Sequence, residues 1–271
     1  MVLALEPERI YTMTGPEHKS NLRKGRLRLW ESHSLSKDVD KYEVYKNQSV
    51  VSSYDHRLYF GLSGGLFYKR EMSCIEDWFP QSGRILDAPC GTGKLAWSLK
   101  GRDSLELYGL DISPLMIEAA SKTGAYYKLE VGDMSNLSYP DGFFDVVYVS
   151  RFFMLFLDIK PFLNEIVRVL RPDGLFIFDN IRRSIHNLIN TVIGTAEGWN
   201  YPRKTNVIHK IVQDSGLQIL DQRSAFLVST GTMNRMPPFL FKLFSAMERV
   251  FPERCRVMEF YKTAKLIPKT E

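Results

Sequence analysis

Four stretches of this 271-residue chain place acids, glycines and aromatic side chains in patterns that could hold a ligand. The first is Asp87-Ala88-Pro89-Cys90-Gly91-Thr92-Gly93. Its glycines would let a ligand approach the backbone closely, because no side chain intervenes, and the acid ahead of them could meet a positive group. The second is Asp111, whose carboxylate could accept both hydroxyls of a ribose. The third, Gly132-Asp133-Met134, offers an acid for an amino group and a flat apolar contact. The fourth runs from Phe144-Asp145 to Ser150-Arg151, then into the aromatic run Phe152-Phe153-Met154-Leu155-Phe156.

These stretches need a scaffold that gathers them, and the hydrophobic pattern supplies one. Short apolar strands are expected at Arg84 to Ala88, Leu105 to Leu110, Tyr126 to Val131, Asp145 to Val149 and Leu175 to Phe178. Amphipathic helices are expected between them at Lys94 to Leu99, Ser113 to Ala120 and Asp158 to Leu170, the last capped by Asp158 with Leu163, Val167 and Leu170 inward. Pro172-Asp173-Gly174 turns the chain into the fifth strand. A leading helix over Lys69 to Phe79 would place Met72, Ile75, Trp78 and Phe79 on one face and stop at Pro80 and Gly83. Later come a helix from Asn206 to Gly216 and a strand from Leu217 to Val228. An apolar helix from Pro238 to Phe251 follows, with Leu240, Leu243, Phe244, Met247 and Phe251 on one face, then a last strand from Val257 to Ile267. Such alternation specifies an α/β domain with a doubly wound, mostly parallel, seven-stranded sheet covered on both faces. In that architecture ligands sit beyond the carboxyl ends of the strands, where the four stretches fall.

Composition bounds the rest. The hydrophobic fraction of 44% and charged fraction of 25% are those of an ordinary globular protein. No apolar run is long enough to span a bilayer. Met1 to Ile10 carries Glu6, Glu8 and Arg9, unlike a secretion signal. Cys74, Cys90 and Cys255 are scattered and have no histidines at metal spacing, so neither a disulfide framework nor a metal site is expected, and a cytoplasmic location fits. Residues 1–50 read as a polar extension and 51–271 as the domain. The net charge is +5, and Lys19, Arg23, Lys24, Arg26 and Arg28 form a basic cluster within the extension. That cluster reads as a solvated arm, or as a contact for an anionic membrane surface or nucleic acid.

The motifs also resemble a known family. Ile85 to Gly93 resembles the first motif of class I S-adenosylmethionine-dependent methyltransferases, acid-x-Gly-x-Gly-x-Gly, with Pro89 standing where its first glycine usually falls. Tyr108-Gly109-Leu110-Asp111-Ile112-Ser113 is similar to the second-strand motif. Gly132-Asp133-Met134, with Leu137 and Pro140 before Phe144-Asp145-Val146-Val147, is similar to the third and fourth. Leu170-Arg171-Pro172-Asp173-Gly174 matches the turn before the fifth strand. The resemblance runs over about residues 54–267 and is nearest to the quinone and small-molecule methyltransferases, with Tyr54-Asp55 a looser part of it. It implies S-adenosylmethionine as cofactor. Asp87 would lie near the methionine amino group, Gly91 and Gly93 beneath the ribose and methionine, and Asp111 on the ribose hydroxyls. Asp133 would meet the adenine amino group with Met134 against the ring, and Ala88, Pro89, Ile112 and Ser150 complete the implied set.

Methyl transfer from a sulfonium is an in-line displacement, so the protein's task is to hold the acceptor and exclude water. Where the acceptor needs a base, the candidates are His186, His56 and Tyr54. Arg151 could bind an anionic acceptor, with Phe152 and Phe153 as apolar wall and Ile185 to Ile193 as lid. The expected acceptor is a small apolar or lipid-like molecule. A nicotinamide-dependent oxidoreductase is the rival reading, since Gly91-Thr92-Gly93-Lys94-Leu95-Ala96 satisfies the dinucleotide pattern. A nucleic-acid methyltransferase using the basic arm is the second rival. However, Ser150-Arg151-Phe152-Phe153 stands where such enzymes carry Asn/Asp-Pro-Pro-aromatic or Pro-Cys, so no nucleic-acid partner is expected.

Overall fold

The computed structural model describes residues 47–51, 54, 62–182, 201–229, 232 and 236–266. His56, His186, the basic cluster and Ile185 to Ile193 lie outside the described residues.

Strand β1 (Gly83–Asp87) lies third in a seven-stranded sheet. Adjacent residues on a strand face opposite sides. Ile85 accordingly joins the core under one helical layer and Leu86 the core under the other. Both faces of the inner strands are buried, so β1 and the strand Phe144–Val149 read as near-continuous apolar runs. After β1 come α2 (Lys94–Leu99), β2 (Leu105–Asp111), α3 (Pro114–Ser121), β3 (Lys128–Val131) and β4 (Phe144–Val149). The chain continues through α4 (Lys160–Val169), β5 (Leu170–Ile181), α5 (Thr205–Asp214), β6 (Leu217–Ala225), α6 (Pro238–Met247) and β7 (Met258–Lys265). Helix α1 (Gly64–Met72) precedes them all. Leu95 and Leu99 of α2 pack on the Ile85 face with Phe67 of α1 and Phe241 of α6; Phe162, Leu163, Ile166 of α4 and Ile208, Val212 of α5 pack on the Leu86 face.

The order is β3-β2-β1-β4-β5-β7-β6. β1 pairs in parallel with β2 and β4, so the strand order reverses there, and β7 runs antiparallel between β5 and β6. The expected seven strands are all present.

Several boundaries differ from expectation. The leading helix ends at Met72, and Ile75, with φ −136°, diverts the chain into a short turn at Glu76–Trp78. Met72, Ile75, Trp78 and Phe79 are nonetheless all buried. β3 begins only at Lys128, because Tyr126 turns its hydroxyl toward Asp87 and leaves the ladder. Asp158 does not cap α4: Ile159 holds that position, and Asp158 Oδ1 accepts the Lys160 N–H at 3.0 Å. Within α4, Val167 is only half-buried, while Phe162, Leu163, Ile166 and Val169 face inward. In α6 the buried side chain is Phe241, and Leu243 and Phe251 are exposed.

Candidate functional site

Three strand ends converge at the reversal. Asp87, the last residue of β1, pairs with Gly109 of β2 on one side and Tyr148 of β4 on the other. The loop that follows is pinned across both neighbours: Ala88 N donates to Tyr148 O at 3.1 Å, and Cys90 N to Leu110 O at 2.9 Å. Gly91 N donates to Asp111 Oδ2 at 3.0 Å, while Ser113 N donates to Asp111 Oδ1 at 2.9 Å. Asp111 thus joins the glycine turn to the start of α3.

The two glycines of the turn do different work. Gly91 has φ +53°, and a Cβ built on it meets nothing within 4 Å, so its bare backbone faces open space. Gly93 has φ +89°, and a Cβ there would lie 2.8 Å from Thr123 Cγ2. Gly93 is therefore required by packing against Thr123 just beyond α3, whereas at Gly91 only the positive φ disfavours a side chain, and the space beside it is open.

The cavity is bounded by Asp87, Pro89 and Gly91 of the turn, by Asp111 and Ile112, and by Ser150, Arg151 and Phe152 beyond β4. Tyr54, Lys94, Tyr148, Leu155 and Phe156 complete much of the wall. Of the expected residues, Ala88 is fully buried beneath it, and Gly93 packs behind it. Asp133 is exposed outside this lining, with Oδ1 accepting the Ser135 N–H at 2.8 Å. Met134 differs most from expectation: it is 4% exposed and packed in the core with Tyr108 and Leu137, which withdraws its side chain from the cavity. Phe153 likewise points into the core, stacked edge-on against Phe176 and Phe178, so only Phe152 of that pair reaches the wall. Tyr54 is the one base candidate among the described residues, and it lines the cavity.

Burial sets the electrostatics. Asp87 is 3% exposed, and desolvation raises its pKa to about 7. The Tyr126 hydroxyl, donating to Oδ2 at 2.6 Å, and the Lys94 charge act against that rise. Asp111 is raised to about 6, again by desolvation, with the Ser113 and Gly91 N–H groups opposing. A buried carboxylate short of a counter-charge favours a cationic ligand, since the ligand's charge offsets the desolvation.

Sequence reasoning missed a second cluster beside this cavity. Glu71 of α1, fully buried, receives Lys94 Nζ at 2.6 Å and Arg151 Nη2 at 3.0 Å on the same Oε2. Burial pushes the Glu71 pKa up, but the Arg151 and Lys94 charges more than offset this and hold it below the usual range. Lys94 begins α2, where the helix dipole disfavours a cation, so Glu71 compensates a charge placed against that field. Arg151 is held at φ +53° by its own N–H, which donates to Asp179 Oδ1 at 2.9 Å, and Ser150 Oγ donates to Asp179 Oδ2 at 2.8 Å. Asp179, buried on β5, is raised to about 6, first by desolvation and then by the Glu71 charge. One signal for Glu71 was present: Phe67 and Glu71 are four residues apart, so an acid sits in the helix's apolar stripe.

Comparison with known proteins agrees with this geometry. Residues 86–178 match the family described as a methyltransferase domain. Over 99 residues the chain is 39% identical to a demethylmenaquinone methyltransferase of Thermus thermophilus, covering 35% of this chain and 45% of that protein. Over 100 residues it is 30% identical to a malonyl-[acyl-carrier protein] O-methyltransferase of Serratia marcescens, covering 36% and 38% respectively. The chain thus spans less than half the length of these curated relatives. A solved SAM-dependent methyltransferase of Thermotoga maritima superposes with a TM-score of 0.61 at 16% identity, covering 83% of this chain and 99% of that one. Residues 86–178 thus carry the likeness to methyltransferase domains, and the sheet that holds them shares its Rossmann-like fold with a solved SAM-dependent methyltransferase.

Proposed function

We propose that this chain transfers the methyl group of S-adenosylmethionine to a small, predominantly apolar acceptor. The observation that carries the reading is the convergence of Asp87, Gly91 and Asp111 on one cavity at the strand reversal. The chemistry of these residues suits that cofactor. Asp87 is a buried carboxylate whose desolvation the Tyr126 hydroxyl and the Lys94 charge only partly offset, which suits an ammonium group. Gly91 leaves open space where any side chain would intrude. Asp111 has two oxygens fixed by backbone donors and lone pairs left over for hydroxyls. Ile112 and Pro89 supply apolar wall, and Ser150 borders the cavity from β4. Asp133 would reach the ligand only at the cavity's outer margin, and Met134 would act through its backbone. Residues 51–271 form the catalytic domain in this reading and 1–50 an extension.

When bound, the cofactor supplies an electrophilic methyl group on a leaving thioether that needs no acid. The chain's own residues orient and enclose. Arg151 and Phe152 sit together at the end of β4, where the acceptor would enter, with Leu155 and Phe156 extending the apolar wall. Tyr54 lines the same cavity and would hydrogen-bond an acceptor hydroxyl there. Methylation of a quinone by the Thermus relative is in keeping with such a wall. The dinucleotide alternative is disfavoured by topology, because an all-parallel 3-2-1-4-5-6 sheet has no antiparallel strand inserted beside the fifth. Calorimetry with S-adenosylhomocysteine and with NADH tests the assignment: the first should bind and the second should not, and the reverse outcome overturns it.

A further inference from the structure

The outward surface of α6 fits no packing role in the domain. Phe239 is 68% exposed, Leu243 53% and Val250 83%. With Ala246, also exposed, they are spaced by four, three and four residues. At 3.6 residues per turn this spacing places Phe239, Leu243 and Ala246 within about 60° of one another on α6, an apolar ridge that Val250 continues in the turn beyond the helix end. The turn beyond Met247 is tied back to the helix, with Val250 N donating to Met247 O at 2.9 Å and Phe251 N to the same oxygen at 3.1 Å. The opposite face holds Phe241 and Glu248, 4% and 2% exposed. The helix is therefore amphipathic in an unusual sense: its buried face contains a charge, and its solvent face is the apolar one.

The charges around the ridge are arranged by sign. Lys242 and Arg249 are exposed along one flank, and Arg254 is exposed in the turn that follows. The acid of this stretch, Glu248, is turned inward, where Oε2 meets Arg70 Nη2 at 2.9 Å and Oε1 accepts the Phe226 N–H at 3.0 Å. Glu253, beyond the helix, is paired with Arg256 at 3.1 Å. An exposed apolar ridge flanked by cations is complementary to an anionic lipid interface, where apolar side chains enter the acyl boundary and cations meet headgroup phosphates. Among the described residues no helix is long and apolar enough to cross a membrane, so the contact is peripheral.

We propose that α6 docks this protein on an anionic membrane surface through Phe239, Leu243, Ala246 and Val250, with Lys242, Arg249 and Arg254 on headgroup phosphates. The surface stands on its own geometry and rests on the methyltransferase reading only for its use, delivery of a membrane-dissolved acceptor. The route inward is short. Arg70, which holds α6 through Glu248, is followed in α1 by Glu71, which holds Lys94 and Arg151 at the cavity. Two adjacent residues of one helix thus join the docking helix to both sides of the candidate site.

The test uses the full chain with vesicles of phosphatidylcholine, alone or mixed with phosphatidylglycerol. Wild type should sediment with the mixed vesicles and only weakly with the neutral ones, less so as salt rises. The variant Phe239→Ser/Leu243→Ser/Val250→Ser should lose about tenfold or more of this partitioning, since it withdraws three large apolar side chains. Lys242→Glu/Arg249→Glu should abolish the preference for phosphatidylglycerol. All three substituted apolar positions are exposed, so folding should persist, checked by an unchanged thermal shift with S-adenosylhomocysteine. Wild type remaining in the supernatant with both vesicles, or the serine variant sedimenting like wild type, overturns the proposal. So does a wild-type dimer that the serine variant splits while neither binds vesicles, which would make the ridge a self-association face. Vesicle binding without any response to S-adenosylhomocysteine would leave the docking surface standing and remove the proposed function.

Discussion

The hydroxyl of Tyr126 donates to Asp87 Oδ2 across 2.6 Å, joining the chain just before β3 to the end of β1 beneath the candidate site. The bond favours the ionised acid, in opposition to burial, and leaves Asp87 with a pKa of about 7. A cationic ligand group needs that acid charged. Affinity for S-adenosylhomocysteine should therefore rise about tenfold between roughly pH 6 and 8. Tyr126→Phe should move the rise to higher pH and weaken binding at neutrality. Calorimetry across this range checks both, and a flat profile would remove Asp87 from the ligand's amino group.

Asp87 should also reveal a conflict between function and stability. A carboxylate whose folded pKa lies above its unfolded value contributes most at low pH, and its contribution falls as pH rises from about 4 to 7. Asp111 and Asp179, raised to about 6, act in the same direction. Asp87→Asn retains the shape and cannot ionise. It should stabilise the ligand-free protein by up to about 4 kcal/mol at pH 8, match wild type near pH 4, and abolish cofactor binding. Thermal denaturation at the two pH values, paired with calorimetry, measures this.

Asp111→Ala should weaken cofactor binding strongly, and it should also loosen the protein. Both carboxylate oxygens accept backbone N–H groups, from Gly91 and Ser113. Their loss leaves buried donors without partners, at about 1–3 kcal/mol. A lower melting temperature together with a large affinity loss is expected; unchanged affinity would sink the assignment of Asp111 to the ribose.

Alanine at the two turn glycines should separate ligand contact from packing. Gly93→Ala meets Thr123 Cγ2 and a strained φ, so stability falls before affinity is considered. Gly91→Ala carries only the backbone strain, about 1–2 kcal/mol, and its methyl enters the cavity. Binding relative to stability should therefore suffer more at Gly91, as melting curves with and without S-adenosylhomocysteine would report.

The parts of this molecule that could be read from sequence are those where burial makes contrast. Strands of a sheet covered on both faces are uninterrupted apolar runs, so β1, β2 and β4 stood out, and with them the strand-end positions of Asp87 and Asp111. Contrast fails in α6, where nearly every residue is apolar: of the face drawn through Leu240, Leu243, Phe244, Met247 and Phe251, Leu240, Phe244 and Met247 are half-buried and the other two exposed, and the fully buried side chain is Phe241. It fails again in the run Phe152 to Phe156, where a short helical turn sends Phe153 to the core and Phe152 to the cavity. Glu71, Lys94, Asp179 and Tyr126 were missed for another reason. Their partners lie on different elements, and only the folded sheet brings those elements together.

The position of β7 has a consequence for synthesis. The last strand in sequence is sixth in the sheet, and it is the one neighbour of β6. Until Met258–Lys265 has emerged from the ribosome, β5 has an open edge and β6 has no partner at all. The nascent chain must therefore carry an almost complete domain, with an unpaired strand edge open to other chains, through the time needed to translate α6 and the turn beyond it. Closure of this side of the sheet waits for β7, and chains released before it would present unpaired edges of β5 and β6 able to pair with other chains.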